Sequence, residues 1–246
     1  MTSPTKCLAV VTGGSRGIGA AIVQRLAADG YIVALTYATS STAAETLVDT
    51  VRAAGGDAIA YQADAADERA FAAVIESVVS QFGGLDVLVN NAGGGTRGRL
   101  TEMPVSEIDT MIATNVRGLV LSTRTAIPYL RAGGRIINIG SVNADHSPFA
   151  GGSIYSMTKG AVASFTQALS RELGPRGITI NNVQPGPVHT EANPSDGPEA
   201  ENLRTRIAVE RFGSPREVAA LVSYLTTPEA AFVTGASLNI DGGFSA

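Results

Sequence analysis

The sequence predicts a doubly wound α/β protein: a seven-stranded parallel sheet with helices on both faces, formed as one domain over residues 1–246. Three observations lead there. Short apolar runs rich in Val and Ile alternate with longer helical stretches from the N-terminus onward, the pattern of a sheet covered on both faces. No internal repeat, low-complexity tract or linker interrupts that series. The first strand-to-helix junction, "TGGSRGIG", is glycine-rich, as a junction that approaches a ligand through its backbone must be.

The elements follow in order. Strands are expected at "CLAVVT" (7–12), "IVALTY" (32–37), "AIAYQ" (58–62), "LDVLVN" (85–90), "RIINIG" (135–140), "ITINNVQ" (178–184) and "SLNI" (237–240). Helices are expected over 18–29, 42–54, 67–82, 105–131, 153–173 and 215–226. Ser214 before Pro215 marks a helix start, and Gly174 with Pro175 closes the long helix before it. Residues 186–213 concentrate proline, glycine and charge, which reads as a mobile excursion serving as a lid or substrate loop.

Composition excludes several functions. The formal net charge of −4 argues against nucleic acid or an anionic membrane as the main partner. Cys7 is the only cysteine, so no internal disulfide forms; a reducing compartment is expected, with the thiol buried in the first strand. "MTSPTK" does not resemble a signal peptide and no run of 18 apolar residues occurs, so the expected location is cytoplasmic. His146 and His189 with one cysteine do not make a structural zinc site, and no metal is expected.

"VVTGGSRGIGAAI" runs from a strand through glycines into a helix. A backbone without Cβ, leading into free N–H groups at the positive end of a helix, is what a pyrophosphate requires. Gly13, Gly17 and Gly19 depart from the common GxGxxG dinucleotide spacing, so a tight turn without a ligand remains the alternative on this motif alone. Further on, Tyr155 and Lys159 in "SIYSMTKGA" stand one helical turn apart on one face. Lys159 is one of two lysines in the chain.

Together these motifs resemble the short-chain dehydrogenase/reductase family. "TGGSRGIG" resembles its TGxxxGxG cofactor loop, and "NNAG" at 90–93 its motif after the fourth strand. Asn115 falls where the family carries an active-site asparagine, Ser141 closes "IGS" after the fifth strand, and Tyr155 and Lys159 follow at the family's distance. "PGPVHT" at 185–190 resembles the segment over the nicotinamide, and "DGG" at 241–243 the C-terminal motif. The resemblance spans essentially the whole chain. It implies a Rossmann-type fold, an NADP(H)- or NAD(H)-dependent oxidoreductase, and a homotetramer or homodimer formed through the helices at 105–131 and 153–173.

The chemistry accounts for the residue types. Reducing a ketone with a nicotinamide hydride leaves negative charge on the carbonyl oxygen, which a positioned acid must neutralise. Tyr155 is the expected proton donor; the Lys159 cation favours its phenolate and also reaches the ribose hydroxyls. Ser141 would hydrogen-bond the substrate oxygen. By resemblance, Asn115 would hold a water relaying protons from Lys159.

An NAD enzyme places an acid near the end of the second strand to bind the ribose 2′-OH. "ALTYATSS" at 34–41 has none, whereas Arg16, Tyr37, Thr39 and Ser40 offer a charge and donors for a 2′-phosphate, so NADP(H) is expected. Asp64 matches the family's adenine contact, or serves as a helix N-cap. The resemblance extends the cofactor contacts to Ser15, Ile18, Asn91, Ala92, Gly93, Pro185, Gly186, Val188 and Thr190.

The substrate is a small carbonyl compound or its alcohol, and Gly94, Asn143, Phe149 and His189 are candidate pocket residues. A 3-oxoacyl carrier-protein reductase would need a basic docking patch, for which Arg131, Arg135, Arg171 and Arg176 are candidates. A rival reading exists. "GSVN", "VQPGP" and the "ANP..GP" pattern at 192–198 are similar to family members that bind cyclic-di-GMP and promote biofilm dispersal, which would make the chain a nucleotide sensor on the same scaffold.

Overall fold

Successive residues of the first strand point into two different apolar layers: Ala9 and Val11 join one, Leu8 and Val10 the other. That alternation, with every face buried, is why the strands carry nearly unbroken apolar runs. In the computed structural model, which describes residues 7–246, the order of elements matches the alternation of the sequence. The "MTSPTK" segment lies outside the described residues.

The strands are β1 (Leu8–Val11), β2 (Ile32–Tyr37), β3 (Asp57–Gln62), β4 (Leu85–Asn90), β5 (Leu130–Ile139), β6 (Thr179–Pro185) and β7 (Ser237–Ile240). They form one sheet in the order β3-β2-β1-β4-β5-β6-β7, all parallel. The helices are α1 (Gly17–Ala28), α2 (Ser41–Ala53), α3 (Glu68–Phe82), α4 (Val105–Ile112), α5 (Leu119–Ala126), α6 (Ser153–Leu173), α7 (Pro198–Arg204) and α8 (Pro215–Thr226). Ile22, Leu26, Leu47 and Val222 from α1, α2 and α8 cover one face, and Phe71, Ile75 and Leu173 from α3 and α6 cover the other. Because β1 lies between β2 and β4, strand order reverses there, and the crevice at the carboxyl ends of β1 and β4 is where such sheets bind ligands.

Three expectations need correction. The helix expected over 105–131 is two helices joined by a π-helical segment, Ala113–Gly118, and it ends at Ala126 because Pro128 lies in a 3₁₀ turn that leads directly into β5. The fifth strand, expected over 135–140, begins at Leu130, which pairs with Leu85 across a register shift, whereas α6 closes at Gly174 and Pro175 as expected. Cys7 is exposed just before β1 rather than buried within it.

The excursion at 186–213 is tied down at several points. Val188 bridges Gly213, Thr190 and Asn193 exchange backbone hydrogen bonds, and α7 lies within it. Ala200, Ile207 and Phe212 are buried against Phe244 and Val142, the residue after Ser141. The loop is therefore anchored to the carboxyl end of β5 and to the C-terminal segment.

Candidate active site

Two of the helix N-termini at this edge are left open. Neither α1, with Arg16 at its N-cap, nor α2, with Ser40, has a side-chain cap or an acid in its first turn. By contrast Asp67 accepts from Arg69 and Ala70 at α3, and Ser214 and Glu217 form a capping box at α8. Orphan N–H groups at α1 and α2 leave partial positive charge beside the crevice.

The glycine loop is shaped for close approach. Gly13 (φ 61°) and Gly17 (φ 55°) take left-handed backbone, and a Cβ on Gly13 would stand 2.9 Å from Ala92 Cα. Asn91 fastens the loop: its amide donates to the carbonyls of Thr12 (3.0 Å) and Gly13 (2.9 Å), and Thr12 Oγ1 accepts from the N–H groups of Asn91 and Ala92. Gly19 is buried, Ser15 and Ile18 half-buried, and Ile18 packs on the apolar layer of α1. Thr190 comes within 3.6 Å of a Cβ placed on Gly17, so the segment after β6 borders the glycine loop. Pro185 and Val188 are buried and Gly186 is half-buried along that segment. Arg16 and Thr39 are exposed, with Tyr37 and Ser40 half-buried, around the open N-termini. These features fit a dinucleotide: a cradle without side chains for its pyrophosphate, with donors and a cation at β2 where an acid would repel a 2′-phosphate.

Asp64 follows β3 beside the end of β2, where the N–H of Ala63 bonds the Tyr37 carbonyl at 2.9 Å. It is exposed, and its carboxylate accepts from the N–H of Ala66 at 2.9 Å in a turn of its own; the N-cap of α3 is Asp67.

The catalytic candidates converge beyond β5. Lys159 is buried on α6, and its Nζ donates to the Ile139 carbonyl at 2.8 Å while lying 5.7 Å from the centroid of the Tyr155 ring. Burial pulls its pKa down to about 8. The buried Tyr155 phenol is pushed above its ordinary value by burial, against a hydrogen bond with Ser141 and the charge of Arg97. The expected lowering of the phenol by Lys159 is absent in the chain alone, where Ser141 and Arg97 are the groups that oppose the effect of burial. Ser141 Oγ accepts from the N–H of Asn143 at 3.1 Å, which orients the hydroxyl.

Asn115 sits in the π-helical segment, 1% exposed. Its amide donates to Gly94 O (2.8 Å) and Thr158 Oγ1 (3.1 Å) and accepts from Gly94 N–H (3.0 Å). A Cβ on Gly93 would stand 3.0 Å from Asn115 Oδ1 and 3.5 Å from Lys159 Nζ. The side chain thus clamps the loop after β4 that passes over Lys159.

Other candidates separate. His189 is exposed and its Nδ1 accepts from the N–H of Ser195, so the ring braces its own loop. Phe149 is half-buried, with the guanidinium carbons of Arg97 and Arg206 at 5.5 Å and 4.8 Å from its centroid. The basic patch does not form at this edge. Arg131 pairs with Asp86 at 2.6 Å, Arg135 is buried on the carbonyls of Gly133 and Gly134, and Arg176 caps Ile127 and Leu130. These three lie about the start of β5, at the opposite end of the sheet from Ser141. Arg171 is in the last turn of α6.

Sequence reading missed Gly95 and a row of buried amides. A Cβ on Gly95 would come 2.5 Å from Tyr155 Cδ2, so the loop after β4 seals the phenol's flank. Asn90, Asn138 and Asn182 stand in register across β4, β5 and β6; Asn90 bonds Asn138 and Thr123, and Asn138 bonds Thr166 of α6. Asparagines inside apolar strand runs were the available signal.

A family model described as Enoyl-(Acyl carrier protein) reductase matches residues 13–245. A curated relative from Escherichia coli (strain K12), the cyclic-di-GMP-binding biofilm dispersal mediator protein, is 44% identical over 237 residues, covering 96% of each chain. The solved structure of a short-chain dehydrogenase/reductase from Serratia marcescens BCRC 10948 is 49% identical with a TM-score of 0.96, covering 99% of this chain and 100% of that one. A short chain dehydrogenase from Burkholderia cenocepacia J2315, solved in complex with NADP, is 45% identical with a TM-score of 0.95, covering 99% and 100%. The chain belongs to the short-chain dehydrogenase/reductase family.

Proposed function

We propose that this chain is an NADP(H)-dependent reductase that interconverts a ketone, or a 3-oxoacyl group, with a secondary alcohol, residues 1–246 acting as one unit and 186–213 as its substrate loop. The observation that carries it is the convergence of the Tyr155 phenol, the Ser141 hydroxyl and the Lys159 ammonium at the carboxyl edge of the sheet. Gly13, Ser15, Arg16, Gly17, Ile18, Gly19, Tyr37, Thr39, Ser40, Asp64, Asn91, Ala92, Gly93 and the 185–190 segment would hold NADP(H), the cofactor with which a structural neighbour was solved. When bound, the cofactor supplies the hydride that becomes the new C–H bond. Tyr155 gives its proton to the carbonyl oxygen as the C=O π bond breaks, and Ser141 hydrogen-bonds that oxygen. Lys159 holds positive charge beside the ring and stabilises the phenolate left behind. Asn115 keeps Gly94, and with it the loop over Lys159, in place.

The curated relative's name supplies the competing reading, a cyclic-di-GMP sensor; the assembled proton-donor site favours chemistry. The test is NADPH consumption against cyclic ketones, 3-oxo esters and acyl thioesters, beside calorimetry with cyclic-di-GMP. Turnover of any carbonyl supports the reductase. No turnover together with tight cyclic-di-GMP binding establishes the sensor instead.

A further inference from the structure

We propose that Arg97 and Arg206 form an anion clamp at the mouth of the substrate cleft, so that the preferred carbonyl substrate carries a carboxylate or phosphate group. The inference rests on the reductase reading above and names its substrate class. Three distant segments meet here: the loop after "NNAG", the turn after Ser141 and the substrate loop. Phe149 joins them, packing on the cluster formed by Val142, Ala200, Ile207, Phe212 and Phe244. Arg97 and Arg206 lie 5.5 Å and 4.8 Å from its ring centroid.

Stacking on an aromatic ring fixes the plane of a guanidinium and leaves its N–H edge free to bind a carboxylate or phosphate. Both arginines are exposed, and among the described residues neither pairs with a carboxylate in the way that nearby Arg204 pairs with Glu201 and Arg211 with Glu217. Glu107 of α4 accepts from Oγ1 of Thr96, the residue beside Arg97, at 2.7 Å. Two unneutralised cations sharing one ring raise the local positive potential, which an anion relieves.

The clamp faces the chemistry. Gly95 lies against the Tyr155 ring, and Gly98 N–H bonds the Gly151 carbonyl at 3.1 Å, so the loop that carries Arg97 is fixed on both sides of it beside Tyr155. The charge of Arg97 is felt by the Tyr155 phenol. A substrate whose carbonyl meets Tyr155 would present its anionic end to the clamp.

The experiment compares kcat/KM for matched pairs: 3-oxobutanoate with its methyl ester, and dihydroxyacetone phosphate with dihydroxyacetone. The wild type should favour the charged member of at least one pair by roughly tenfold or more, and the pair that shows it separates carboxylate from phosphate. In the double variant Arg97→Gln/Arg206→Gln that preference should collapse to within about threefold, and Arg97→Lys/Arg206→Lys should recover part of it. Equal use of charged and neutral members by the wild type overturns the clamp while the neutral ketones still report the reductase. A double variant that keeps the full preference also overturns it. Absence of turnover on every ketone overturns the reductase reading and the clamp together.

Discussion

Lys159 Nζ donates to the Ile139 carbonyl at 2.8 Å, so the only buried ammonium among the described residues is moored to the end of β5. Ile139 lies two residues before Ser141, so this bond couples α6 to the strand end that presents the serine. It gives Lys159 a structural duty besides its electrostatic one.

Lys159 therefore leaves a signature in stability against pH. Its pKa is about 8 in the folded chain, lowered by burial, and about 10.4 when unfolded. Between those values the unfolded state binds more protons, so this residue makes stability rise with pH across that window, by up to about 3 kcal/mol. Denaturant unfolding of wild type and Lys159→Met at several pH values should show that rise in the wild type and a flatter difference in the variant. Parallel curves would contradict a buried, shifted ammonium.

Gly95 and Gly94 are neighbours with opposite expectations. A Cβ on Gly95 meets Tyr155 Cδ2 at 2.5 Å, whereas one on Gly94 meets nothing within 4 Å. Gly95→Ala should displace the phenol and lower kcat about tenfold or more, with the binding constant of NADPH little changed. Gly94→Ala should fall far less. Similar rates for the two variants would show that the ring tolerates the shift.

Asn115 as a clamp carries stability. Asn115→Ala removes both hydrogen bonds to Gly94 and the one to Thr158, leaving polar groups unpaired at a cost of about 1–3 kcal/mol. Thermal or urea unfolding measures it. A variant that loses activity at full stability would return Asn115 to a purely chemical role.

Arg16 sits at the open end of α1, with no acid at β2 to repel a 2′-phosphate. Arg16→Ala should weaken NADPH by about tenfold while leaving NADH nearly unchanged, read by fluorescence titration. Equal losses would remove Arg16 from the phosphate site.

Much of this was legible in the sequence, and the gaps have physical causes. Val- and Ile-rich runs fixed the strands because strands buried on both faces tolerate little else. The order of Gly13, Asn91, Ser141, Tyr155 and Lys159 along the chain pointed to the candidate site. The π-helical turn around Asn115 was hidden because one widened turn leaves apolar spacing almost unchanged over a long helix. Early β5 was hidden too: "RAGG" breaks the apolar run, yet Leu130 pairs with Leu85 across a register shift. Arg131, Arg135 and Arg176 misled as a docking patch because closeness in sequence does not say which end of a sheet a residue occupies. Arg97, Phe149 and Arg206 come from three segments that only the fold brings together.

The central claim is that Tyr155 delivers the proton, and single-turnover reduction of a ketone by enzyme saturated with NADPH tests it most directly. Tyr155→Phe should bind NADPH as the wild type does and reduce the ketone about 10²–10⁴-fold more slowly. A Phe variant that reduces at the wild-type rate would contradict the account.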